Sequence, residues 1–141
     1  MAPEGTKAER QTLDRFIARY GVGQNEATRA VELAVIGGDW GANGYTTLAQ
    51  ADVLGQVLGL EPGTRLLDLG SGRGWPGLYL AKRHGCTAVL SDLPVEALRA
   101  GAARARAEKV SGRVGSVLAS ARHLPFTPDS FDAIVHTDVL C

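Results

Sequence analysis

Leu66-Leu67-Asp68-Leu69-Gly70-Ser71-Gly72-Arg73-Gly74-Trp75-Pro76-Gly77 is an apolar strand running into three alternating glycines and then into a helix. Glycines are demanded there for steric reasons. A turn leaving a strand takes backbone angles that side chains resist, and a ligand approaches the main chain closely only where no Cβ intervenes. Pro76 suits a first helical turn, so the free amides and the dipole of that helix start would face an anionic group of a ligand.

Outward from this segment, short apolar runs alternate with helical ones, which is how a parallel sheet with crossover helices is written. Strands are expected at 65–69, 87–91, 113–118 and 131–136, with helices at 76–84 and from Val95 to about Glu108, the latter carrying Val95, Leu98, Ala102 and Ala105 on one side. Upstream the period changes to that of helices. Leu13, Phe16, Ile17 and Tyr20 mark one, stopped by Gly21 and Gly23 after a polar start expected to fray. Ala27, Val31, Ala34 and Val35 mark the buried face of a second, ended by Gly37 and Gly38. A glycine-rich, aromatic stretch, 39–47, leads through Thr46 and Thr47 as N-caps into a third helix with Leu48, Ala51, Leu54 and Leu58 on one face, closed by Gly59 and Pro62. The expected fold is thus α/β: an N-terminal helical cap region, 1–60, followed at 61–141 by the first part of a Rossmann-like parallel sheet of about four strands.

The 141 residues are 45% apolar, enough for one domain with a core and too few for two. Fifteen basic side chains balance fifteen acidic ones, so no global field favours nucleic acid or an anionic membrane, and a small-molecule partner fits better. Cys86 and Cys141 form no disulfide framework, which points to a reducing compartment. With no secretory pattern and no membrane-spanning apolar run, the expected setting is the cytoplasm.

The glycine loop admits two cofactors, since Gly72, Gly74 and Gly77 also satisfy the G-x-G-x-x-G pattern of dinucleotide sites. Two carboxylates bear on the choice. Asp68 sits two residues before Gly70, where it can pair with the α-ammonium of S-adenosylmethionine (SAM); NAD has no such group. Asp92 ends the next strand, where an acid accepts hydrogen bonds from ribose hydroxyls, and that fits either nucleotide. Each acid also has a structural reading. Asp68 could cap the helix after the loop, and Asp92-Leu93-Pro94 could open the helix beginning near Val95.

Leu66–Gly74, the run Ser91-Asp92-Leu93, and Leu124-Pro125-Phe126 followed by Asp129-Ser130-Phe131-Asp132-Ala133-Ile134-Val135 together resemble the class I SAM-dependent methyltransferases, in particular the small-molecule group that includes quinone-biosynthesis enzymes. The resemblance covers about Pro62 to Cys141. It implies that SAM lies over Gly70, Ser71, Gly72 and Gly74, that Asp92 holds the ribose hydroxyls, that Leu93 packs on the adenine, and that the backbone of Ala121 borders the adenine edge. Where the family commonly has an acid before that alanine, this chain has Ser120, a neutral acceptor. Tyr45 resembles an aromatic residue that reaches the SAM carboxylate from the N-terminal cap, with core packing as its other reading. Trp75 could face the sulfonium or simply pack.

Methyl transfer is an in-line displacement that needs a base only if the nucleophile must lose a proton. His136 and Asp138 stand where the fourth strand ends and are the candidates for that base; each could instead be a hydrogen-bonded structural group. No metal-ligand cluster is visible. The resemblance also implies further strands beyond the fourth, so the chain reads as truncated, with a missing half or a partner chain completing the sheet. Two other functions stay open: a non-catalytic SAM-binding module, and an NAD-dependent oxidoreductase domain.

Overall fold

A computed structural model describes residues 5–139; Cys141 lies outside the described residues. Three helices come first: α1 (Lys7–Gly21), α2 (Glu26–Ile36) and α3 (Leu48–Val57). Then β1 (Arg65–Leu69), α4 (Gly77–His84), β2 (Thr87–Asp92), α5 (Val95–Ala107), β3 (Val114–Leu118) and β4 (Ala133–Val135) follow. The four strands form one parallel sheet in the order β3-β2-β1-β4, with Leu67 opposite Val89 on one side and Ile134 on the other. Parallel neighbours need crossovers, which α4 and α5 supply. The chain reverses direction across the sheet at β1, and ligands of open α/β sheets bind outside the strand ends at such a switch point.

Period-two alternation decides which strand residues meet the helices. Leu66, Ala88, Ala133 and Val135 pack with Leu80, Ala81 and Cys86, while Leu90 packs with Leu78, Leu98, Ala105 and Val110. The opposite face is thinner. There Leu67 and the 55% exposed Ile134 line a shallow groove with the segment 124–131.

Expected and observed elements differ in four places. Helix α1 begins at Lys7, well before Leu13, because Thr6 and Glu9 form a reciprocal capping box. Its apolar stripe is mostly not core: Tyr20 is buried, whereas Phe16 and Ile17 are exposed. Helix α2 turns the other way from its expected face. Val31 and Val35 are exposed and Glu32 points inward, since its carboxylate receives the backbone amides of Trp40 (2.6 Å) and Ala42 (3.0 Å) and the Gln24 amide (2.7 Å). The fourth strand is shorter than 131–136. Phe131 turns aside onto Phe126, and Asp132 is held by Arg65, whose backbone amide and guanidinium both donate to it (2.8 and 2.9 Å). That contact pulls the Asp132 carboxyl down to about 2.

Candidate functional site

Parallel strands bring the C-terminal ends of β1, β2, β3 and β4 to one edge, and the glycine loop leaves β1 at that edge. The loop folds back onto β2. Gly70 and Ser71 donate their amides to the Ser91 carbonyl (2.8 and 3.1 Å), and Gly74 donates to the Ser71 carbonyl (2.8 Å). Asp92 completes the tie, accepting from the Gly72 amide through Oδ2 and from the Leu93 amide through Oδ1, both at 2.7 Å. Helix α5 opens on Pro94 without any side-chain cap. Asp92 therefore does not serve as that helix's N-cap; its carboxylate faces the loop.

Asp68 lies beneath the same loop and is buried. Its Oδ2 accepts from the Gly77 amide at 2.8 Å, and a Cβ on Gly77 would stand 2.6 Å from that oxygen, so Gly77 is a glycine to let the carboxylate in. Pro76, expected within the first helical turn, occupies the cap position, and having no side-chain acceptor it leaves α4 to be capped by Asp68. Burial pushes the Asp68 carboxyl up to about 8; the Gly77 amide works against this and the charge of Asp92 adds to it. The two acids thus act on one loop and feel each other. Asp68 Oδ1, Ser71 Oγ and Ser91 Oγ are buried there without hydrogen-bond partners.

The three loop glycines differ in what they face. A Cβ on Gly70 would meet Val139 at 2.6 Å, one on Gly72 would meet the Tyr20 hydroxyl at 2.6 Å, and one on Gly74 would strike Leu78 at 2.5 Å and Leu90 at 3.2 Å. Gly74 is therefore required by core packing, while Gly70 and Gly72 lie under side chains that come from outside the loop. Tyr20 was legible only as a helix residue. The structure puts its hydroxyl over Gly72, within 3.3 Å of the Asn43 amide, and burial raises its pKa. A tyrosine closing a helix just before Gly21 and Gly23 was its one signal in the sequence.

Around this centre, Leu93 is 42% exposed beside Asp92, and the Ala119 amide donates to the Asp92 carbonyl (3.1 Å), which brings Ser120 and Ala121 to the same edge. Ser120 Oγ accepts from the Arg122 amide at 3.2 Å, and Ala121 is exposed. Tyr45 is 79% exposed, so its ring is not packing the cap. Trp75 packs: it is buried against Trp40 and Tyr79, and its indole donates to the Thr46 carbonyl at 3.0 Å. His136 is exposed just beyond β4. Asp138 is an anchor, its Oδ2 accepting from the Tyr45 amide (3.1 Å), the Thr46 amide (3.3 Å) and the Thr46 hydroxyl (3.0 Å). A Cβ on Gly44 would stand 2.1 Å from that oxygen, so the glycine permits the approach. Among the described residues no three His, Cys, Asp or Glu side chains gather as a metal site, and no helix is long and apolar enough to cross a membrane.

Residues 66–141 match the family model described as a methyltransferase domain. Among curated proteins, the chain is similar to the methyltransferase GfsG of Streptomyces halstedii, 38% identical over 77 residues that make up 55% of this chain and 28% of that protein. It is also similar to the ubiquinone/menaquinone biosynthesis C-methyltransferase UbiE of Rhizobium leguminosarum bv. trifolii (strain WSM2304), 40% identical over 75 residues, 52% of this chain and 29% of that one. The chain thus spans less than a third of the length of these relatives. Among solved structures, a SAM-dependent methyltransferase from Thiobacillus denitrificans in complex with S-adenosyl-L-homocysteine superposes with a TM-score of 0.58 at 30% identity, covering 65% of this chain and 37% of that one.

Proposed function

Because the chain belongs to the methyltransferase-domain family, whose model takes in more than half of it, we propose that the glycine loop and its two carboxylates bind SAM for methyl transfer to a small-molecule acceptor. One observation carries this reading. Two acids hold a single loop, Asp92 at Gly72 and Asp68 at Gly77, and Asp68 Oδ1, Ser71 Oγ and Ser91 Oγ are buried without hydrogen-bond partners. That donor set fits a ligand with an amino-acid end and a ribose end. The resemblance of the fold to structures holding S-adenosyl-L-homocysteine supports the same ligand.

In this reading each residue has a defined task. Each Asp92 oxygen already accepts one amide and has a second lone pair, so the carboxylate takes ribose hydroxyls without releasing the loop. Asp68 Oδ1 receives the ammonium, whose charge stabilises the ionised carboxylate against its burial. Gly70, Ser71 and Gly72 offer backbone to the ligand, which replaces the contacts now made by Val139 and Tyr20; Gly74 holds α4 in place. Leu93 and the Ser120-Ala121 backbone border the base, and the exposed Tyr45 is free to reach a carboxylate. The bound cofactor supplies an electrophilic methyl group. His136, exposed at the end of β4, is the candidate proton acceptor, and Asp138 positions the 45–46 segment. The helices before β1 act as a cap over the loop. The setting is cytoplasmic, in keeping with the free buried thiol of Cys86.

UbiE and GfsG are named as methyltransferases, and UbiE as one of ubiquinone/menaquinone biosynthesis, which supports a small-molecule acceptor. A second reading is SAM binding without turnover, in which the exposed His136 takes no proton. Titration calorimetry with SAM, S-adenosylhomocysteine and NADH tests the cofactor, and methyl release measured beside it separates the two readings. Binding of the first two with no heat from NADH is expected. Preference for NADH would restore the dinucleotide assignment.

A further inference from the structure

Next to the glycine loop, and sharing Tyr20 with it, a groove of about 430 Å³ runs between the end of α1 and the outer side of α5. Its volume is that of a small-ligand site. Ala100, Ala103 and Ala107 give it an apolar wall, Tyr20 stands opposite, and Arg29, Arg73 and Arg104 reach into it. Arg73 is the unusual member. It is only 8% exposed, yet among the described residues its guanidinium forms no ion pair and no side-chain hydrogen bond; its contact is with the Tyr20 ring, 4.9 Å from the centroid. Its guanidinium lines the groove, so its N–H donors, taken by no protein acceptor, are open to whatever enters there, and a planar oxyanion matches them.

The neighbouring charges leave that demand unmet. Tyr20 and after it Glu32 favour the charge of Arg73, but the Glu32 oxygens are engaged by the Trp40 and Ala42 amides and the Gln24 side chain. Arg104 stands beside Arg73, both side chains lying against Gly41, and donates to the carbonyl and carboxylate of Asp39. Arg29 is exposed at the rim. Burial and the nearby Arg19 and Arg104 disfavour the cationic form of Arg73, which an incoming anion would relieve.

We infer that this groove is a second binding site, taking a small organic anion whose carboxylate or phosphate is held by Arg73 and Arg29 while its apolar body lies on the alanine face of α5. The probes are pyrophosphate and octanoate, titrated into the 141-residue chain by calorimetry at low ionic strength. Saturable one-to-one binding of at least one is expected, weakened about tenfold by Arg73→Gln and about threefold by Arg29→Gln. Arg83→Gln, the same charge change on α4, leaves it intact. Pyrophosphate alone assigns the phosphate class and octanoate alone the carboxylate class. If Arg73→Gln does not fold, the exposed Arg29→Gln carries the comparison. No saturable binding of either probe at millimolar concentration, or equal binding by the Arg29, Arg73 and Arg83 variants, overturns the site.

Discussion

The helices before β1 and the helices within the sheet begin in opposite ways. α1, α2 and α3 each open on a reciprocal capping box, Thr6 with Glu9, Asn25 with Thr28, and Thr47 with Gln50. α4 and α5 open on Pro76 and Pro94 with no side-chain cap of their own. Burial differs less sharply: Leu66, Leu78, Leu80 and Leu90 are fully buried and Phe16, Ile17, Val31, Leu33 and Val35 are exposed, while Ile36 and Ala51 of the early helices are buried. The early helices start by local chemistry; α2 and α3 pack Ile36 and Ala51 against Trp75, and polar contacts add to this, notably Glu32 to the 40–42 turn and Asp138 to Tyr45 and Thr46. The sheet helices start where packing puts them, which leaves amides near the loop for Asp68 and for a ligand.

If this contrast is right, substitutions should sort by region. Leu90→Ala should cost about 3 to 4 kcal/mol in chemical denaturation, because a fully buried side chain leaves a cavity against Leu78 and Leu98. Val31→Ala, on the exposed face of α2, should stay within about 0.5 kcal/mol. Equal losses would break the comparison.

Asp68 sharpens it through pH. Its folded carboxyl titrates near 8 against an ordinary 3.8, so between these values the unfolded chain is ionised and the folded chain keeps its proton. Its contribution to stability should be fully present below pH 4 and be lost as pH rises from about 4 to about 8, by on the order of a few kcal/mol. In Asp68→Asn that part of the slope should vanish while the Asn oxygen still accepts from Gly77. An unchanged slope would mean the carboxyl is not buried as described.

Smaller effects belong to the moorings. Glu32→Ala should cost about 2 kcal/mol, since it strips the acceptor from the Trp40 and Ala42 amides. Asp138→Ala should cost about 1 kcal/mol and accelerate hydrogen exchange at Tyr45 and Thr46 more than at Leu90. Uniform acceleration would show that the early helices and the sheet open together.

The sheet was written plainly in the sequence, and the moorings were not. Strand β1, both crossover helices and the weak β3 follow from alternation and glycine punctuation, signals local to each segment. Strand order is not local, and nothing within Ala133–Val135 says that it pairs with β1 and not with β3. The inward Glu32 defeats a reading based on apolar period, because its burial is repaid by amides eight and ten residues away. At the site, the loop and both acids were legible as a motif. The cap that Asp68 places on α4 was one of its two readings, whereas the tie of Asp92 to Gly72 was not legible, and neither was the placement of Tyr20 over Gly72, which depends on how α1 lies across the loop.

The central claim is that Asp92 holds both the loop and the sugar end of one sulfonium nucleotide. Calorimetric titration of S-adenosylhomocysteine into Asp92→Ala, beside the parent chain and Asp14→Ala, a change at an exposed acid of α1, tests it most directly. The account predicts about a hundredfold loss of affinity in Asp92→Ala, two charge-assisted hydrogen bonds being removed, and a change within about threefold in Asp14→Ala. Parent-like affinity in Asp92→Ala, with the protein folded, would contradict it.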